Sequence, residues 1–185
     1  MDFQKYVELT RETAVYPDEY ERDYVIHGLV DELGELRETL DNPPIENGLV
    51  EERFSSKHVT EIEKEMGDVL WYTARLVDHF GFDVQTFFEF ELSETTISPS
   101  DQGEKLVDEA LLCATRINGH QKKSVRDEDN RKDQIKGRIT SIIRKLRKAA
   151  HHFGLRDLKV VARRNIEKLF DRKARDVLHG DGDNR

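Results

Sequence analysis

Four carboxylates fall in two short repeats, Glu32-Leu33-Gly34-Glu35 and Glu65-Met66-Gly67-Asp68. Each sets two acids three residues apart with a glycine before the second, and positions i and i+3 share one face of a helix. If the two helices pack side by side, all four acids converge. Such a cluster repels itself unless a hard cation sits among its oxygens, and Mg²⁺ is the usual answer.

The surrounding chain supplies helices to carry them. Phe3, Tyr6 and Val7 mark a helix over 2–15, and a second runs from Pro17 to about Leu40, with Tyr20, Tyr24, Ile26 or His27, Val30, Leu33 and Leu36 on its apolar side. Asp41-Asn42-Pro43-Pro44 stops it. After a loop with a short turn near Leu49–Phe54, Thr60 and Glu63 read as a capping box for a third helix ending at Gly81. A fourth, carrying Phe87, Phe88, Phe90 and Leu92, ends before Pro99. The remaining helices cover about Asp101–Ile117, Arg131–Phe153 and Arg156 or Asp157 to Arg175, with an exposed charged link over 121–129. No strand of useful length is visible, so the fold class is all-α, a bundle of antiparallel helices.

The chain has 185 residues, 37% charged and 36% hydrophobic, with four prolines, which fits a helical protein with a real core. Its one cysteine, Cys113, sits in an apolar run and reads as packing. With no apolar leader at Met1–Lys5 and no membrane-length stretch, the expectation is a cytoplasmic protein with no membrane partner. Residues 1–100 hold 24 acids against 8 Lys/Arg, and residues 101–185 hold 14 against 22.

The sequence also repeats itself. Leu29-Val30-Asp31-Glu32 recurs as Leu106-Val107-Asp108-Glu109, and His79-Phe80-Gly81-Phe82 as His152-Phe153-Gly154-Leu155. Two copies, 1–98 and 99–185, packing as one domain, account for both matches. In the second copy Glu35 becomes Leu112, Glu65 becomes Arg138 and Asp68 becomes Ser141, so the acid cluster is lost. Its last helix instead carries Asn165, Lys168 and Arg172 on one face, where the first copy has Glu91 and Glu94. One copy suits a metal and the other suits anions.

Gly28-Leu29-Val30-Asp31-Glu32-Leu33-Gly34-Glu35-Leu36, Glu65-Met66-Gly67-Asp68-Val69-Leu70-Trp71-Tyr72 and Asn165-Ile166-Glu167-Lys168-Leu169 with Arg172 together resemble the MazG-like group of all-α nucleoside triphosphate pyrophosphohydrolases. The chain departs from that group in its long spacer between the acidic repeats and in the 70 or so residues before the Asn/Lys helix, which a tandem duplication of two fused copies explains.

The resemblance implies cleavage of a nucleoside triphosphate to the monophosphate and pyrophosphate. It implies Mg²⁺, with Mn²⁺ as a substitute, held by Glu32, Glu35, Glu65 and Asp68. Either Glu32 or Glu35 then serves as base for the attacking water, and Asn165, Lys168 and Arg172 face the phosphates. Tyr72, one turn after Asp68, contacts base or sugar or else packs in the core; Trp71 reads as core and His27 as a supporting histidine. The tail 179–185 reads as a flap over bound nucleotide. Whether the fused copies stay a monomer with an internal pseudo-dimer or pair as a homodimer is open. The rival readings are an inactive nucleotide sensor and a nucleic-acid-binding module, the latter from eleven Lys/Arg against four acids over 120–148. That stretch has no aromatic for stacking, so nucleic acid is the weaker partner.

Overall fold

The computed structural model describes residues 1–46, 48–50, 52–88, 102–123, 129–155 and 157–177. Among them the chain forms α1 (Phe3–Glu12), α2 (Glu21–Asp41), α3 (Ser56–His79), α4 (Val84–Phe88), α5 (Gly103–Lys123), α6 (Asp129–His152) and α7 (Leu158–Ala174), with a minimal hairpin of β1 (Ile45–Glu46) and β2 (Leu49–Val50). The all-α expectation holds, and no helix among the described residues is long and apolar enough to cross a membrane. The tail beyond Val177, Glu91, Glu94, Phe90 and Leu92 lie outside the described residues.

Two antiparallel helical hairpins make the body. In one, α2 packs on α3; in the other, α5 packs on α6, and the hairpins meet along α2 and α5. Two further helices cross between the hairpins and α1: α7 lies on α3 and α1, and α4 lies on α1 and α6. One buried cluster runs through both hairpins, from Leu29, Leu33 and Leu36 through Met66 and Leu70 to Val107 and Ile142, and on to Ile166 of α7. Helices α3 and α6 end alike. Gly81 (φ +62°) and Gly154 (φ +78°) turn left-handed, and the amides of Phe82 and Leu155 donate back to Val77 and Ala150 at 3.0 and 2.8 Å.

Several expected boundaries move. Helix α3 starts at Ser56, capped by Ser55, whose hydroxyl accepts from the His58 amide at 3.2 Å. Thr60 is inside the helix, donating to the Ser56 carbonyl at 2.8 Å, so the capping-box reading of Thr60 and Glu63 fails. Asn118-Gly119 does not end α5, which continues to Lys123; packing against α6 outweighs the roughly 1 kcal/mol that a helical glycine costs. On α2 the buried positions are Val25, Ile26, Leu29, Leu33, Leu36 and Leu40. Tyr20 and Tyr24, expected on the apolar side, are 61% and 45% exposed, and His27 is exposed as well.

The loop between α2 and α3 is pinned at its base. Arg53 donates to the Leu40 carbonyl at 3.0 Å, meeting an orphan acceptor at the end of α2. The fully buried His58 accepts from the Phe54 amide at 3.0 Å and, through Nε2, reaches the Thr39 carbonyl at 2.6 Å. These contacts hold α2 and α3 in register above the acidic repeats.

Candidate metal centre

The antiparallel packing of α2 on α3 brings Glu32, Glu65 and Asp68 together. Each offers one oxygen, all mutually within 4.8 Å, and all three side chains are half-buried. Glu35 is not in this tight set; it is exposed on the next turn of α2, yet its charge still reaches Glu32. Burial first, then repulsion from Asp68, Glu35 and Glu65, pushes the Glu32 carboxyl up to about 8, with Lys168 opposing.

The arrangement fits a magnesium ion. Ligand oxygens about 2.1 Å from Mg²⁺ stand at most about 4.2 Å apart across it, so small side-chain adjustments suffice. A cation there removes the repulsion that burdens Glu32.

Helix α7 closes the third side. Asn165 Nδ2 donates to one Asp68 oxygen at 2.7 Å, and Lys168 Nζ to the other at 2.6 Å. Asn165 is itself fixed, because its Oδ1 accepts from the buried Tyr6 hydroxyl at 3.0 Å. The approach is close enough to need Gly67: a Cβ there would lie 2.9 Å from Asn165 Cβ. Gly34, by contrast, has open space around its Cβ position, so the two glycines of the repeats play different parts. Arg172, one turn beyond Lys168, is buried, 7% exposed.

Tyr72 lies against α2 over Gly28, where a Cβ would fall 2.1 Å from its ring. Its hydroxyl is hydrogen-bonded to Tyr24, and burial, then Tyr24, Glu32 and Asp68 push its pKa up. The Tyr24 ring is 6.0 Å from Tyr72 and 4.6 Å from Tyr16, giving an aromatic ledge at one end of the carboxylate groove. Trp71 packs inward as expected and donates to Thr13 Oγ1 at 2.9 Å. Cys113 is packed too, its sulfur 3.7 Å from Ser141 Oγ.

Sequence patterning read Tyr6 and Tyr24 as apolar helix positions and missed their contacts with Asn165 and Tyr72, and it missed the Glu63–Arg164 pair that joins α3 to α7. Of the ledge, Tyr72 was singled out from its place one turn after Asp68, and Gly28, against which its ring packs, is the other trace in the sequence.

No family model matches the chain, and neither a curated protein nor a solved structure matches it.

Proposed function

We propose that this protein is a Mg²⁺-dependent nucleoside triphosphate pyrophosphohydrolase of the MazG-like kind, built from two fused copies, with one site per chain. Its duty is removal of unwanted nucleotides from the cell's pool. The observation that carries the reading is the joining of three clustered carboxylates from α2 and α3 to an Asn/Lys pair from α7 at a single residue, Asp68.

Glu32, Glu65 and Asp68 are the residues that would hold the magnesium, with Mn²⁺ as a substitute. When bound, the ion polarises the α-phosphorus and offsets phosphate charge. Glu35, exposed beside the tight set, is left to orient the attacking water and take its proton. Water oxygen bonds to the α-phosphorus, the bond to the bridging oxygen breaks, and pyrophosphate leaves with the electron pair. Lys168 neutralises the charge growing on that leaving group. Asn165 keeps Asp68 and Lys168 aligned, and buried Arg172 adds positive potential behind them. Tyr72 and Tyr24 meet the base or sugar.

The nucleic-acid reading loses ground to the packing of its own basic residues. Lys145 pairs with Glu109 at 3.2 Å, and Arg131 donates to the His120 carbonyl at 3.2 Å. The test is pyrophosphate release from a panel of ribo- and deoxyribonucleoside triphosphates with Mg²⁺. Release with the monophosphate as co-product, absent in Glu65→Gln, is the expected result. Tight nucleotide binding without turnover across the panel would replace the enzyme with a sensor.

A further inference from the structure

Tyr6 is fully buried on α1, its ring set edge to face against Phe3 at 6.4 Å. A phenol hydroxyl so placed needs a partner inside the protein. Because α1 packs on both α3 and α7, Tyr6 reaches the seam where those two helices meet, and its hydroxyl donates to Asn165 Oδ1 at 3.0 Å. The Asn165 amide, 4% exposed, turns its Nδ2 to Asp68 Oδ1 at 2.7 Å. Three side chains thus form one line from the first helix to a carboxylate of the acidic trio.

Both ends of the amide agree on one orientation. Turned over, Asn165 would aim its carbonyl oxygen at the Asp68 carboxylate, acceptor against acceptor. Gly67 lets the same side chain lie directly on α3, where a Cβ would stand 3.2 Å from Nδ2. The amide therefore has a partner at each end and a helix backbone beneath it. The second donor to Asp68 is held differently. Lys168 reaches Oδ2 at 2.6 Å on a flexible four-carbon stem, which can follow the carboxylate as it turns. The rigid end of Asp68 is the one that leads back to Tyr6. Burial, then the charge of Asp68, raises the Tyr6 hydroxyl well above its ordinary range, so the donor keeps its proton at neutral pH.

We infer that Tyr6 is a positioning residue of the metal centre. Acting through Asn165, it fixes the plane in which Asp68 presents its oxygens, and so sets the affinity of the trio for a divalent cation. It touches neither the ion nor a substrate. The inference rests on the metal-binding part of the function proposed above and is independent of the reaction.

The experiment is Mn²⁺ titration of the full chain followed by electron paramagnetic resonance, with Tm measured on each protein. It compares wild type, Glu65→Gln, Tyr6→Phe, Asn165→Ala and the double variant Tyr6→Phe/Asn165→Ala. Phe keeps the ring that fills the core, and Ala keeps the Cβ that sits on Gly67. Binding in wild type, absent in Glu65→Gln, locates the ion at the trio. Tyr6→Phe and Asn165→Ala are each expected to weaken Mn²⁺ binding about tenfold. The double variant should bind no more weakly than Asn165→Ala, because one relay has been cut twice. Its Tm should nonetheless lie above that of Asn165→Ala, in which the Tyr6 hydroxyl is left buried without a partner. Affinity that rises with Tm, or losses that add, would give Tyr6 a merely structural part and overturn the inference, as would unchanged affinity in Tyr6→Phe. In each of those cases the metal reading stands. A wild type that binds no Mn²⁺ removes both the site and the role of Tyr6.

Discussion

Lys145 Nζ stands 3.2 Å from a Glu109 carboxylate oxygen, at the two positions that the sequence repeat aligns with Tyr72 and Glu32. Where α2 and α3 gather carboxylates, α5 and α6 carry their own cation. Isothermal titration is therefore expected to find one class of Mg²⁺ site per chain, abolished by Glu65→Gln and untouched by Glu109→Gln. Because Glu109 is 43% exposed, its loss should alter stability by no more than about 1 kcal/mol.

Lys168 is expected to matter to the rate more than to the ion. Lys168→Met should lower kcat by roughly a hundredfold, about 3 kcal/mol of lost leaving-group stabilisation. Mg²⁺ affinity should not fall, since Asp68 loses a competing cation. Steady-state kinetics at several Mg²⁺ concentrations separate the two.

The two close glycines give opposite signatures. Gly67→Ala pushes α7 off α3 at Asn165, which should cost about 1–3 kcal/mol and lower kcat. Gly28→Ala instead collides with the Tyr72 ring, and Tyr72→Ala should remove most of that penalty. A double-mutant cycle by denaturant unfolding should give a coupling energy of about 1 kcal/mol or more.

Glu32 predicts an unusual pH dependence for the metal-free protein. Its folded pKa of about 8 lies above the ordinary 4.5, so the fold favours the protonated form. That stability is fully present below about pH 4.5 and is lost as pH rises through 8. Glu32→Gln should therefore raise Tm increasingly between pH 5 and pH 8.5 without Mg²⁺. Saturating Mg²⁺ should reverse the order of the two proteins, as a scan at each pH would show.

At the far end of α3, Arg75, 5% exposed, binds Glu21, Asp78 at 2.7 Å and the Tyr16 hydroxyl at 2.9 Å. Asp78 is held below its usual range, first by the hydrogen bond from Arg11 and then by Arg75. Burial raises Glu21, but hydrogen bonds from His79 and Arg75 outweigh it and leave it lowered. Both contributions are present at neutral pH and vanish as pH falls through the depressed values. Arg75→Met should cost about 3 kcal/mol at pH 7 and flatten the stability curve below pH 5, measured by urea unfolding.

Of the four carboxylates expected to converge, Glu32, Glu65 and Asp68 meet; the Glu65–Asp68 pair was legible because i, i+3 spacing on a helix is a local property, but the same spacing did not bring Glu35 into the set, because which face of α2 meets α3 is not local. The same local reasoning placed Tyr20 and Tyr24 inward, since periodicity alone does not say which side of α2 meets α3. It also chose Thr60 as a cap over Ser55, five residues earlier; both residue types suit the role, and the buried His58 decided between them. The Glu63–Arg164 pair and the seat of Asn165 on Gly67 lay beyond reach. They join residues about a hundred positions apart and exist only because α7 crosses to α3.

That crossing also sets a timetable. During synthesis the acids of α2 and α3 emerge long before Asn165 and Lys168, so the groove is translated as bare negative charge and completed almost a hundred residues later. Inheritance meets the same constraint. A recombination break between residues 88 and 102 would deliver Asp68 from one parent and its lysine from another, and so would part the two sides of this contact.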